Sequence, residues 1–295
     1  MRVAAELDEV AARFAAAGVT GHVHVRDVDD AGAELGLGAD EPVVLASVFK
    51  VLLVVEYARQ AAAGQLDPAE RTRVRAADRL GGVGTAGCFD EVDISWRDLA
   101  LFALSMSDNT AADLLLRRVG LETVQDLVAE LGLVRTRIGG GPRQSVESMF
   151  ADVGAADAAE FAKLFPTLGP ERLARLAVLD PARTNSATPR DMTRLLSLIW
   201  RDEAGPAQAC RHVRELMGRQ LSWHRLAAGF GDEVAVAAKS GTILGVRNEI
   251  GVAAFPDGRR YAMAVFTTGG WGSRRPDVDA AIGQAARLLV DRLRA

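Results

Sequence analysis

Lysine is the scarce residue of this chain. Of 35 Lys+Arg among 295 residues, only Lys50, Lys163 and Lys239 are lysines. Where arginine serves almost every cationic need, a retained lysine marks a place that wants a compact amine able to lose its proton, which a guanidinium cannot do. A basic excess is also missing, since 39 Asp+Glu leave a net charge of −4, and that excludes nucleic acid as the main partner. Two cysteines, Cys88 and Cys210, cannot build a disulfide framework and form no Cys-x-x-Cys pair. The four histidines include His22 and His24, alternating on an expected strand without a supporting Cys or carboxylate cluster, so no metal site is expected. No apolar run is long enough to span a bilayer. The opening residues, with Glu6, Asp8, Glu9 and Arg13 among Val3, Leu7, Val10 and Phe14, read as an amphipathic helix rather than an export signal. The expected location is therefore cytoplasmic, or exported if a leader has been lost from this sequence.

What is present is an ordinary globular composition, 49% hydrophobic and 25% charged, in a length suited to one large unit or two subdomains. A strand is expected at Gly21–Val28 and a buried helix from Ser47 to Gly64. Two helical patterns between Ile94 and Arg118 meet at Ser107-Asp-Asn, and Leu121–Leu131 adds another. Residues 135–185 are the least regular, broken by Gly139-Gly-Gly-Pro, Phe165-Pro, Gly169-Pro and Asp180-Pro. Helices follow from Pro189 and near His212, then three antiparallel strands at Val234–Lys239, Asn248–Phe255 and Tyr261–Thr267, and a last helix at Asp277–Leu293. This order predicts an α/β chain in which residues 1–45 and 189–295 form a discontinuous subdomain with an antiparallel sheet flanked by helices. Residues 46–188 form an inserted all-α subdomain, with a cleft between the two.

Three short motifs carry chemistry. In Ser47-Val-Phe-Lys50, residues three apart on a helical turn share a face, so a lysine with a lowered pKa can take the proton of the serine hydroxyl. In Ser107-Asp-Asn109, a hydroxyl and an amide two residues apart can point into one cleft, Ser107 relaying a proton and Asn109 holding Lys50 and a carbonyl. In Lys239-Ser240-Gly241-Thr242, at the end of a strand, Lys239 supplies a positive field. There Gly241 admits a substrate backbone, and the Thr242 N–H completes an oxyanion hole with that of Ser47. Each has a plain reading as well: a chance Ser-x-x-Lys, a helix cap, a strand running into a turn.

Together, in this order and 107 − 47 = 60 residues apart for the first two, they resemble class A β-lactamases and penicillin-binding proteins. The flanks Ala46-Ser-Val-Phe-Lys-Val-Leu, Ser105-Met-Ser-Asp-Asn-Thr-Ala-Ala-Asp and Arg247-Asn-Glu-Ile-Gly-Val resemble that family too. The resemblance implies an α+β sandwich and a serine hydrolase that forms an acyl-enzyme through Ser47 on a β-lactam or a related ester or amide. Ser47, Lys50, Ser107 and Lys239 would be catalytic. Asn109, Ser240, Gly241, Thr242 and Arg247 would bind the substrate, Arg247 through its carboxylate. No metal or other cofactor is implied; the partner is a small acyl substrate, neither nucleic acid nor membrane, and the chain is expected to be a monomer.

One family feature is missing. No Glu-x-x-Leu-Asn pattern precedes Thr188-Pro189, and the omega-loop segment is about thirty residues longer than usual. Glu171 is the nearest candidate for the base that releases the acyl group, with Glu147, Asp152 and Glu160 behind it. Without such a base the acyl-enzyme should persist or pass to another acceptor. That leaves two alternatives to a hydrolase: a non-turnover β-lactam-binding protein, or an intracellular acyl transferase on a small metabolite. The glycines of Leu80–Gly87 predict an open or mobile cleft rim.

Overall fold

A computed structural model describes residues 2–272 and 274–295. In chain order it contains α1 (Arg2–Ala16), β1 (Thr20–Asp27), β2 (Glu34–Leu37), β3 (Val43–Val44), α2 (Lys50–Ala62), β4 (Arg71–Val74), β5 (Val92–Ser95), α3 (Trp96–Ser105), α4 (Asn109–Val119) and α5 (Leu121–Glu130). There follow α6 (Pro142–Val153), α7 (Ala158–Leu164), α8 (Pro170–Ala174), β6 (Ser186–Ala187), α9 (Pro189–Trp200), α10 (Ala207–Met217), β7 (Ala235–Ile243), β8 (Val246–Ala254), β9 (Arg260–Thr268) and α11 (Pro276–Arg294).

Five strands form an antiparallel sheet in the order β2-β1-β9-β8-β7. The first long strand pairs with the last, Val23 opposite Val265, so the two ends of the chain close one sheet around everything between them. Period-two patterning assigns the faces. Tyr261, Met263 and Val265 of β9 pack with Val23 and Val25 of β1 into a core shared with α1 and α11. Ala262, Ala264 and Phe266 join Ile250 and Val252 in a larger core with α2, α3, α9 and α10.

Helix α2 is the spine of that larger core. Val51, Leu52, Leu53, Val54 and Val55 are all 2% exposed or less, as a helix apolar on every side must be. The helix expected from Ser47 begins only at Lys50, because Ala46–Phe49 winds as a 3₁₀ turn. Strand β7 runs further than expected, to Ile243, so Lys239–Thr242 lies within the strand and not at its end. Its pairing continues in register past the motif, with Thr242 opposite Arg247.

The segment read as irregular folds into three short helices, α6–α8, around a satellite core of Val153, Leu176 and Val178. Its aromatic rings stack, Phe150 to Phe161 at 5.1 Å and Phe161 to Phe165 at 5.0 Å. The proline and glycine breakers punctuate these helices: Pro142 and Pro170 occupy first turns, and Gly154 closes α6 with φ +80°. Asn185 shuts the neck of this lobe. Its Oδ1 accepts from the Gly139 and Gly140 N–H groups at 2.8 and 3.2 Å, and its Nδ2 donates to the Gly140 carbonyl at 2.8 Å.

Candidate active site

Ser47 stands on the 3₁₀ turn, half-buried, immediately after Ala46, whose φ of +47° is a left-handed conformation uncommon for a residue with a Cβ. Residues three apart eclipse in a 3₁₀ turn, and the Lys50 N–H donates to the Ser47 carbonyl. Gly241 has a packing task that the sequence did not announce. A Cβ there would lie 2.7 Å from the Leu45 carbonyl oxygen, so glycine lets the Ser47 turn approach strand β7. Asn248 adds a second tie, donating to the Val44 carbonyl at 2.7 Å.

The Lys50 side chain is fully buried. Its Nζ donates to the Ser107 carbonyl at 2.7 Å and to Asn109 Oδ1 at 2.8 Å, with Ser107 Oγ and the Asp108 carbonyl at 3.4 Å. Ser47 Oγ is not among its hydrogen-bond partners. Burial first, then the Lys239 charge, hold the Lys50 pKa well below the ordinary lysine value, with Asp108 opposing. Two short N–H donations use both hydrogens of a neutral amine and leave its lone pair for a proton.

The second motif reaches this position through backbone strain and a cap. Ser107 adopts φ +61°, and Asp108, fully buried, caps α4 by accepting from the Ala111 N–H at 3.0 Å. The capping reading of Ser-Asp-Asn holds, and the cap sets Ser107 and Asn109 against the Lys50 amine. The other Asp108 oxygen accepts from the Thr85 N–H and hydroxyl at 2.7 and 2.8 Å. Leu80 N–H donates to Thr110 Oγ1 at 3.0 Å. The glycine-rich rim, expected to be open or mobile, is thus tied to Asp108 of the second motif and to Thr110 just after it.

Lys239 is also fully buried, and its Nζ donates to the Ser240 carbonyl at 2.7 Å. Burial lowers its pKa to about 7, helped by Arg225 and opposed by Glu249. Three partners here carry no local motif. Glu249, itself wholly buried and pushed up in pKa by burial, accepts from Gln220 Nε2 at 2.8 Å and Leu226 N–H at 2.6 Å. Gln220 Oε1 in turn accepts from the Ser240 N–H at 2.5 Å, occupying the sheet edge beside the third motif. Arg225 donates to Thr242 Oγ1, the Gly241 and Asn248 carbonyls and Asp279 Oδ1 at 2.7–3.0 Å. None was legible from spacing, because they lie 16 to 54 residues apart from the groups they meet.

Ser47, Asn109 and Thr242 line one cleft of about 110 Å³, whose far wall is Pro142, Ser145, Val146, Met149 and Val178 from the lobe. Two expected site residues lie elsewhere. Arg247 pairs bidentately with Asp279 at 2.9 Å and lines a separate cavity with His224, Arg274 and Arg275. Glu171 is exposed in the first turn of α8. Glu147 is exposed, Asp152 accepts from the Ala177 N–H at 2.5 Å, and Glu160 accepts from the Ala156 N–H at 2.7 Å. No carboxylate is among the described residues lining the Ser47 cleft. Among the described residues no group of His, Cys, Asp and Glu could hold a metal ion, and no helix is long and apolar enough to cross a membrane.

A buried lysine beneath a serine on a strained turn, a Ser-Asp-Asn loop and a Lys-Ser-Gly strand, on this sheet, define the active-serine fold of class A β-lactamases and penicillin-binding proteins. The chain belongs to the β-lactamase enzyme family, whose model (Beta-lactamase2) matches residues 2–293. The β-lactamase regulatory protein BlaB of Streptomyces cacaoi is 31% identical over 294 residues, 94% of each chain. Among solved structures, a β-lactamase from Sphaerobacter thermophilus superposes with a TM-score of 0.78 at 22% identity, covering 98% of this chain and 96% of that one. A variant of the last common ancestor of Gram-negative class A β-lactamases gives 0.78 at 21%, covering 98% of both chains. A PBP-A variant in its acyl-enzyme complex with penicillin G gives 0.75 at 21%, covering 99% and 97%. At these identities the structures speak for the fold alone.

Proposed function

We propose that Ser47 is a nucleophile acylated by a β-lactam or a related strained amide or ester, and that the acyl group then leaves slowly, so that the protein holds its ligand covalently rather than destroying it. One observation carries this reading: the cleft around Ser47 faces an apolar wall with no carboxylate to activate water. That the Streptomyces cacaoi relative is a β-lactamase regulatory protein supports it.

In this reading Ser47 Oγ attacks the carbonyl carbon, and Lys50, whose pKa burial lowers, takes the hydroxyl proton. The oxyanion is met by the N–H groups of Ser47 and Thr242. As the ring C–N bond breaks, the proton passes by way of Ser107, 3.4 Å from Lys50 Nζ, to the leaving nitrogen. Lys239 supplies the positive field. Release would need a base on the other side of the ester, where Val146 and Met149 stand. A hydrolase or transferase with an acceptor other than water is the second reading, favoured by the complete set of Lys50, Ser107 and Lys239.

Intact-mass spectrometry after mixing with benzylpenicillin tests this. Wild type should gain the mass of one penicillin and keep it for hours, while Ser47→Ala gains nothing. Val146→Glu, which offers a carboxylate to the cleft, should shorten the adduct lifetime at least ~tenfold. Rapid loss of penicillin with no lasting adduct on wild type would overturn the binding reading in favour of a hydrolase.

A further inference from the structure

A separate cavity of about 390 Å³ lies where α2, α3 and α10 meet, and it shares no lining residue with the Ser47 cleft. Its size is that of an ordinary small-molecule pocket. Much of the wall is small and apolar, with Ala58, Ala61 and Ala62 of α2 facing Ala209 of α10 and Pro68. Tyr57 lines it too, its side chain wholly buried, and the hydroxyl has no hydrogen-bond partner among the described residues. A buried phenol ordinarily finds one. Burial raises the Tyr57 pKa to about 12 against the Arg97 charge, so this hydroxyl keeps its proton and stays a donor.

The groups beside the phenol are donors as well. Arg97 and Arg211 line the same cavity, and among the described residues neither guanidinium makes a hydrogen bond or an ion pair, Glu215 of the same wall included. Burial lowers the His212 pKa, with Glu215 opposing and Arg219 assisting, so its ring is neutral at pH 7 and has one N–H to give. Two guanidiniums, a ring N–H and an orphaned phenol around a small apolar surface lack one thing, an acceptor. We propose that this cavity is a second ligand site, for a small organic carboxylate. Its apolar body rests on the alanines of α2 and on Pro68, and its oxygens accept from Arg97, Arg211 and the Tyr57 hydroxyl. Guanidinium forks match a carboxylate in geometry as well as charge. Such binding does not depend on acylation of Ser47. Each helix around the cavity nevertheless leads to that centre: α2 begins at Lys50, α3 ends two residues before Ser107, and α10 ends three residues before Gln220.

Equilibrium dialysis with radiolabelled benzoate, beside its neutral isostere benzamide, tests the site. Wild type should bind benzoate saturably with a Kd of about 1 mM or tighter, and benzamide at least ~tenfold more weakly. Arg97→Ala and Arg211→Ala should each weaken benzoate at least ~tenfold, the loss of one charge-assisted hydrogen bond. Both arginines are exposed, so neither replacement disturbs the core. Tyr57→Phe should weaken benzoate by about threefold without lowering Tm, since the phenol loses no partner in the unliganded protein. Benzamide bound as tightly as benzoate, benzoate binding unchanged in both arginine variants, or no saturable binding to wild type would each overturn the site.

Discussion

At the scale of single residues, two buried lysines divide the labour because their surroundings differ. Lys50 sits among carbonyl oxygens, and its own burial together with the Lys239 charge lowers its pKa well below the ordinary lysine value, with Asp108 opposing. Lys239 has a carboxylate nearby in Glu249, which holds its pKa up at about 7 against burial and Arg225. If Ser47 is acylated as proposed, with Lys50 as its base, the acylation rate should be bell-shaped in pH. On the acid side Lys50 gains a proton and ceases to be a base; on the alkaline side Lys239 loses its charge near pH 7. Glu249→Gln removes the group that raises Lys239, so the alkaline limb should move to lower pH in rate-against-pH measurements, and an unmoved limb would detach Lys239 from it. The scarcity of lysine marked both residues, and it did not mark everything: the third, Lys163, is exposed on α7.

Elements decide how those residues meet. The nucleophile turn, strand β7 and the lobe are three separate pieces, held together by Gly241 against Leu45, by Asn248 against Val44, and by the Leu45 N–H donating to the Asn185 carbonyl at 3.0 Å. Asn185 is the hinge pin of the lobe. Replacing it by alanine leaves the buried Gly140 N–H and carbonyl without their partner, along with the more exposed Gly139 N–H. At roughly 1–3 kcal/mol for each unsatisfied group, Asn185→Ala should lower stability by a few kcal/mol. It should also raise hydrogen exchange selectively across residues 141–184. Uniform exchange over the whole chain would mean that the neck is not a separate closure. Breaker residues announced an irregular stretch here; α7 and α8, of seven and five residues, are too short for periodicity to register, and the twelve-residue α6 was hidden behind Gly139-Gly-Gly-Pro.

The whole molecule is stabilised by closing a sheet from its two chain ends, and one buried group makes that closure sensitive to acid. His24, on β1 and 1% exposed, bonds Thr193 of α9 through Nδ1 at 2.6 Å and faces Arg190 through Nε2 at 3.2 Å. Burial, then Arg190 and Arg26, lower its pKa to about 3, with Asp40 opposing. The unfolded chain therefore takes up the proton first. Its contribution is whole above pH 6.5 and falls as pH drops toward 3, by at most about 1.4 kcal/mol per unit. Melting temperature followed from pH 7 to 4 should fall more steeply for wild type than for His24→Gln; parallel curves would exclude His24 as the cause.

The sequence by itself determined the architecture's periodic parts and the residues of its three motifs. A strand's alternation, an all-apolar helix, and a serine three residues from a lysine are written within a handful of neighbouring positions. Only the tertiary structure decided that Arg247 faces Asp279 and lines a different cavity, that Gly241 makes room for the Ser47 turn, and that Glu171 is exposed. It also assembled Arg225, Glu249, Gln220 and Asn185 around motifs far from them in the chain. Those outcomes depend on pairs of residues separated by tens to hundreds of positions, whose meeting is set by strand register and core packing and leaves no mark in any local run of residues.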